Sequence, residues 1–192
     1  MGSRSRLSAA AENSMPPNAV NPDRPARRVS ESAHETTALM MPPDENARGH
    51  VFGGVVLAMM DKAAAVCAIR HARTSCVTIS VDRVDFREPI LVGDLVHMKA
   101  SVNFVGRSSM EIGVRIEAEN MLLGTRRHTN SCYVTYVALD REGKPTEVPT
   151  LILETETERR RFAAGGERRR RREEERAHEK TKLDESNRTT SP

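Results

Sequence analysis

Cysteine is scarce and unpaired in this sequence: Cys67, Cys76 and Cys132 make an odd count with no C-x-x-C spacing. That pattern supplies neither a disulfide framework nor a zinc site, and it suits a reducing cytosol. An apolar leader is also missing from the N-terminus, so no secretory signal is expected, and Arg6 stands where a myristoylation pattern needs Ser or Thr. The longest apolar run, Val51 to Ile69, is split by Asp61-Lys62 and is rich in alanine and glycine, short of a membrane-spanning signal. A soluble, cytoplasmic protein with no membrane span is expected. The arginine run Arg168 to Arg172 has no aromatic residue beside it, which removes the usual base-stacking platforms and makes nucleic acid an unlikely partner.

What is present is unevenly spread. Residues 1–32 are rich in Pro, Ser, Asn and Arg without apolar periodicity and read as a disordered extension. Residues 150–192 read as a charged tail, partly helical or disordered, in which i,i+4 pairs alternate in sign below a break at Gly165-Gly166. From Glu154 onward the tail holds 12 Lys or Arg against 10 Asp or Glu, so it is only weakly basic, and it is expected to be dispensable for chemistry. The core must come from the middle, as one domain.

That middle opens with a strand at Glu35 to Met41, ended by Pro42-Pro43. A helix follows from about Gly53 to Arg73, apolar on nearly every side, which predicts that other elements enclose it. In "CVTISVDRVDF" Val77, Ile79 and Val81 share one phase and Val84 and Phe86 another, placing a bulge near Asp82 or Arg83. Val96, Met98, Ala100, Val102 and Phe104 alternate with polar residues. So do Met110, Ile112, Val114, Ile116 and Ala118, with Glu111 among the outward positions, and then Cys132, Val134, Tyr136 and Ala138. One strand, a long helix and four antiparallel strands make an α+β fold with a single core.

Within the helix Asp61 is the anomaly, because burying an unpaired carboxylate is costly. It could pair with an arginine or a backbone amide, or face a polar cleft at a subunit contact. It could ligate a metal, although His71 lies on another face of the helix. It could be a catalytic base or nucleophile. Gly53 and Gly54 at the helix start would let a substrate approach free N–H groups and the positive end of the dipole, a site for an oxyanion. Asn46 lies in the loop leading there.

"MMPPDENARGHVFGGVVLAMMDKAA", "CVTISVDRVDFREPILVGDLV", "VGRSSMEIGVRIEAEN" and "RHTNSCYVTYVALD" together resemble the hotdog-fold acyl-CoA thioesterases of the cytosolic acyl-CoA hydrolase type. The likeness runs in order from Glu35 to Pro149, so residues 33–149 form the expected thioesterase domain. It implies a central helix wrapped by a curved antiparallel sheet of about five strands, and units that pair edge to edge into a dimer or a trimer of dimers. It also implies hydrolysis of acyl-CoA to fatty acid and coenzyme A. Asn46 and Asp61 fall on the family's catalytic pair, contributed by facing units. Relatives often carry Gly-Asn or Gly-Asp where this chain has Gly49-His50, which makes His50 a candidate helper. A hotdog dehydratase or hydratase using His50 with Asp61, or a binding module without turnover, are the alternatives.

Coenzyme A carries phosphates, and "GRSS" offers Arg107, Ser108 and Ser109 at a hairpin to meet them. Arg127, His128 and Thr129 are a second candidate set, and Val56, Met59 and Met60 could line an acyl tunnel. No metal or redox cofactor is expected, since water is the co-substrate and coenzyme A is part of substrate and product.

Overall fold

In chain order the elements are β1 (Ala26–Arg28), β2 (His34–Leu39), α1 (Gly53–Ala72), β3 (Ser75–Val81), β4 (Asp94–Val105), β5 (Ser109–Asn120), β6 (Thr125–Leu139), β7 (Thr150–Ile152) and α2 (Glu156–Thr189). This computed structural model describes residues 24–189, so residues 1–23 of the expected disordered extension lie outside the described residues. Five strands form one antiparallel sheet in the order β2-β4-β5-β6-β3, and β1 pairs with β7 in a separate parallel ribbon.

The period-2 patterns of β4, β5 and β6 put Val96, Met98, Ile112, Ile116, Cys132 and Val134 on one face of the sheet, all buried. Onto this face packs α1 through Val56, Met60, Ala63, Ala64, Cys67 and Ala68. Three small alanines let the helix axis come close, and each large side chain fully buried there contributes about 1.5–3 kcal/mol. The helix ends at Arg73, a left-handed cap with φ of 58° whose N–H donates to Ile69 O at 2.8 Å.

Several sequence expectations shift. The helix is covered on one face within the chain, and Leu57 and Ile69 are exposed on the other. Val77, Ile79 and Val81 are exposed along the free edge of the sheet rather than buried, and the bulge falls between Thr78 and Ser80, with β3 ending before Asp82. A second register shift, between Val102 and Phe104, turns Phe104 out of its expected phase to pair with Glu111 on the outer face. Neither residue meets solvent there.

The cover over that outer face is α2. Phe162 stacks on Phe104 with ring centroids 4.9 Å apart, and a Cβ on Gly165 would come within 2.7 Å of the Phe104 Cβ. The glycines read from sequence as a break are thus the point of close approach. Glu111, 2% exposed, receives Arg168 through both carboxylate oxygens, and Arg172 bridges Glu111 at 3.1 Å to Asp82 at 2.7 Å. The Arg168 guanidinium also sits 3.6 Å over the Tyr133 ring. The first half of the tail is therefore a docked helix.

The N-terminal boundary moves as well. Val29 and Ser32 are buried, and the Arg24 guanidinium donates to Val148 O and Gly106 O at 3.0 Å. Residues 24–32 belong to the folded unit, and β7 carries that unit past residue 149.

Candidate active site

Asp61 sits two turns into α1 and faces β3 and β6, where Thr78 and Tyr136 are register partners. Its Oδ1 accepts the Thr78 hydroxyl at 2.8 Å and the Tyr136 phenol at 2.6 Å. The phenol also lies 2.8 Å from the Asp61 carbonyl oxygen. Burial, followed by the neighbouring Asp61 carboxylate, pushes the Tyr136 hydroxyl above its ordinary range, so it remains a donor at any physiological pH. Oδ2 receives no hydrogen bond from any described residue. The result is a carboxylate with one oxygen fixed and one free.

Thr78 and Tyr136 were missed as site residues. The phase assigned to β3 counted Val77, Ile79 and Val81 as inward, which put Thr78 on the wrong face. Tyr136 lies in the apolar phase of its strand, and the signal that marks it is that a buried tyrosine hydroxyl requires a polar partner.

Asn46 occupies a tight turn ahead of the helix. Its Oδ1 accepts the N–H of Arg48 at 2.8 Å and of His50 at 3.4 Å, and its own N–H donates to His50 O at 2.7 Å. Together with His50, Gly53, Val56, Phe86 and Pro89 it lines a pocket of about 370 Å³ at the mouth of α1. Asp61 is eight residues into the helix from Gly53, about 12 Å along its axis. No hydrogen bond joins Asn46 to Asp61 within the chain among the described residues. No hydrogen bond joins His50 to Asp61 either, so the structure forms no such dyad within the chain.

The N–H groups of Gly53 and Gly54 have no acceptor among the described residues, as an anion site at a helix start requires. Aromatic rings crowd both positions, and at Gly54 a ring occupies the space that a side chain would take. A Cβ on Gly53 would meet the Phe86 ring at 3.4 Å, and one on Gly54 would overlap Phe52.

The residues expected to hold coenzyme A divide into two groups. Arg107, Ser108 and Ser109 form the β4–β5 turn, with Arg107 Nε 3.3 Å from Glu147. Arg127 lies at the far end of β6, where it pairs with Asp94 at 2.5 Å and donates to Pro89 O at 2.8 Å, while His128 lies 2.9 Å from Ser131 Oγ. Ser109 and the β5 residue opposite His128 are eight positions apart, about 26 Å along a strand. The two groups cannot hold the same phosphate within one chain. Thr129 is fully buried and its hydroxyl donates to Ile116 O, which leaves it unavailable to a ligand. Of the tunnel candidates, Met60 packs against Cys132 in the core, whereas Val56 reaches the pocket with Asn46. Among the described residues no three His, Cys, Asp or Glu side chains gather to hold a metal, and no helix is long and apolar enough to cross a membrane.

Comparison with known proteins bears on this geometry. The Thioesterase superfamily profile matches residues 48–125, from the loop before α1 to the β5–β6 turn. The uncharacterized acyl-CoA thioester hydrolase YkhA of Bacillus subtilis is 39% identical over 132 residues, 69% of this chain and 77% of YkhA. The chain belongs to the hotdog-fold acyl-CoA thioesterase family. Among solved structures, this thioesterase superimposes on an apo-hexameric acyl-CoA thioesterase with a TM-score of 0.77 and 39% identity, over 80% of this chain and 98% of that one. It matches the acyl-CoA hydrolase of Staphylococcus aureus, determined with butyryl coenzyme A and coenzyme A, at a TM-score of 0.77 and 35% identity, over 83% of this chain and 98% of that one. Structures of that hydrolase include variants with an asparagine, an aspartate or a threonine replaced by alanine.

Proposed function

We propose that this thioesterase hydrolyses acyl-CoA to a free fatty acid and coenzyme A in a site shared by two copies of the chain. In this reading Asp61 is the base or nucleophile, and Asn46 of the partner subunit orients the water or the thioester. The observation that carries the reading is the free Oδ2 of Asp61 beside an Oδ1 fixed by Thr78 and Tyr136. In the hydrolase of S. aureus the replaced asparagine, aspartate and threonine are spaced 15 and 17 positions apart, as Asn46, Asp61 and Thr78 are here. That agreement supports the same trio for this chain.

As a base, Oδ2 takes a proton from water while the water oxygen attacks the thioester carbonyl. The tetrahedral intermediate collapses by breaking the C–S bond, and the thiolate recovers a proton, yielding carboxylic acid and thiol. As a nucleophile, Oδ2 attacks the same carbon, expels the thiolate and leaves a mixed anhydride that water hydrolyses. In both routes the oxyanion needs donors, and the unused N–H groups of Gly53 and Gly54 are candidates in the copy that supplies Asn46, whose pocket Gly53 shares.

A shared site requires two copies to meet along β3. Its free edge carries exposed Val77, Ile79 and Val81, a row that edge-to-edge pairing would cover, and hexameric relatives support self-association. The same pairing offers a way for the separated Arg107 and Arg127 groups to serve one coenzyme A from two chains.

The test is thiol release from an acyl-CoA series by Asp61→Ala, by Asn46→Ala and by exchanged mixtures of the two. Each variant alone should lose on the order of 10²-fold in turnover or more. Mixed dimers should regain activity, because one of their two sites keeps both groups. Full activity in Asp61→Ala, or no recovery despite proven subunit exchange, would reject the shared site.

A further inference from the structure

Helix α2 lies over the sheet without filling all the space beneath it. The cavity left there, about 670 Å³, has Ser101, Asn103 and Tyr133 on its sheet side and Arg160, Arg161 and Ala164 on its helix side. It is on the opposite face of the sheet from α1 and Asp61, and the proposed hydrolysis makes no use of it.

Its cations are not all committed. Lys99 and Arg115 engage Glu117 at 3.3 and 2.8 Å, and Arg168 engages Glu111. Arg160 and Arg161 have no carboxylate within 4.0 Å among the described residues, although both line the cavity. The one carboxylate of the lining, Glu35, lies 3.9 Å from Lys99.

Asn103 supplies a second, independent sign. Its side chain is 4% exposed, lines the cavity and makes no hydrogen bond to any described residue. The amide fits against β5 only because position 113 is glycine, where a Cβ would overlap it. The amide atoms are not sealed off but open onto the cavity, so whatever occupies the cavity supplies their partners. One cavity thus holds an amide with donors to spare and two exposed guanidinium groups that carry no ion pair among the described residues.

We propose that this cavity binds a small anion carrying two linked phosphoryl groups. Arg160 and Arg161 grip the phosphoryl oxygens through their forked N–H pairs, and Asn103 Nδ2 donates to a third oxygen. The hydroxyl-lined sheet side disfavours a fatty acid, whose chain would strip water from Ser101 and Tyr133 without replacing it. A bound diphosphate would tie α2 to the sheet. The diphosphate could be inorganic or part of a nucleotide.

The experiment is calorimetric titration of the full-length protein with inorganic pyrophosphate and, separately, with ADP. At least one probe should bind at one site per chain. That binding should weaken about tenfold or more in Arg160→Ser/Arg161→Ser and severalfold in Asn103→Ala, and should be unchanged in Arg107→Ser. Binding of both probes assigns the bare diphosphate as ligand, and binding of ADP alone assigns a nucleotide. Absence of binding by both probes at millimolar concentration overturns the proposal. Binding that survives Arg160→Ser/Arg161→Ser, or that disappears in Arg107→Ser, overturns it equally. Melting curves separate lost binding from lost fold, and the two arginines break no ion pair when replaced.

Discussion

Tyr136 and Asp61 are joined at 2.6 Å, sheet hydroxyl to helix carboxylate, and Thr78 completes the grip on the same oxygen. The pair fixes the rotamer of Asp61 and so the direction of its free oxygen. Two hydroxyl donors on one oxygen make this a positioned carboxylate rather than a solvated one.

Removing either hydroxyl should therefore lower turnover more than affinity. Tyr136→Phe and Thr78→Val are each expected to reduce kcat about tenfold, the loss of one hydrogen bond to a charged group, with KM nearly unchanged. Thr78→Ser should restore most of it. Steady-state kinetics on one acyl-CoA decides, and a KM effect alone would make these residues part of substrate binding instead.

The ion cluster under α2 makes a separate prediction. With Arg168 and Arg172 both changed to Met while the helix stays in place, Glu111 would be buried without a cation, at a cost of about 3–5 kcal/mol. Adding Glu111→Gln should return part of that loss. Urea unfolding of the three proteins measures it.

Truncation after Leu153 tests the expectation that the tail is dispensable. It would uncover Phe104 and Tyr133 and remove the stacking of Phe162, so the shortened protein should melt lower and self-associate. An unchanged melting temperature would show that the docked half of α2 contributes little.

Stability should fall in acid in a defined direction. The hydrogen bond from Arg115, joined by Lys99, holds the Glu117 carboxyl below the usual glutamate range, and Arg126 with His97 does the same for Glu119. In the unfolded chain these groups take up protons first, so their contribution is complete above the ordinary glutamate range and is lost as pH drops through the native values. Glu117→Gln should lower stability at neutral pH and flatten the acid limb of the stability curve.

The thiols should be nearly inert in the native protein. Burial pushes Cys67 and Cys132 up to about 12 and Cys76 up to about 11, leaving little thiolate at pH 8. An aromatic disulfide reagent should label them slowly, and all three quickly once urea is added. Fast native labelling of Cys67 would mean that α1 opens readily from the sheet.

Much of this was readable from residues alone, and the exceptions share a cause. The strands β4 to β6 alternate cleanly, and Asp61 and Asn46 stood out by composition and resemblance. Thr78 escaped because the apolar side chains of this edge strand, Val77, Ile79 and Val81, lie on its exposed face, so its hydrophobic phase points away from its own core. Phe104 escaped because a single bulge reverses phase without any local marker. Glu111 and the arginines of α2 could be paired only once the fold set them face to face, since 57 and 61 residues separate them.

Where α2 covers Phe104 and Glu111, a second copy of the chain cannot reach the outer face of the sheet. Leu122, 98% exposed, projects from the β5–β6 turn beside exposed Leu123 and Met121, an apolar rim that the helix leaves open. The arginine-rich helix thereby decides which apolar surface of the chain is left for a second copy to meet.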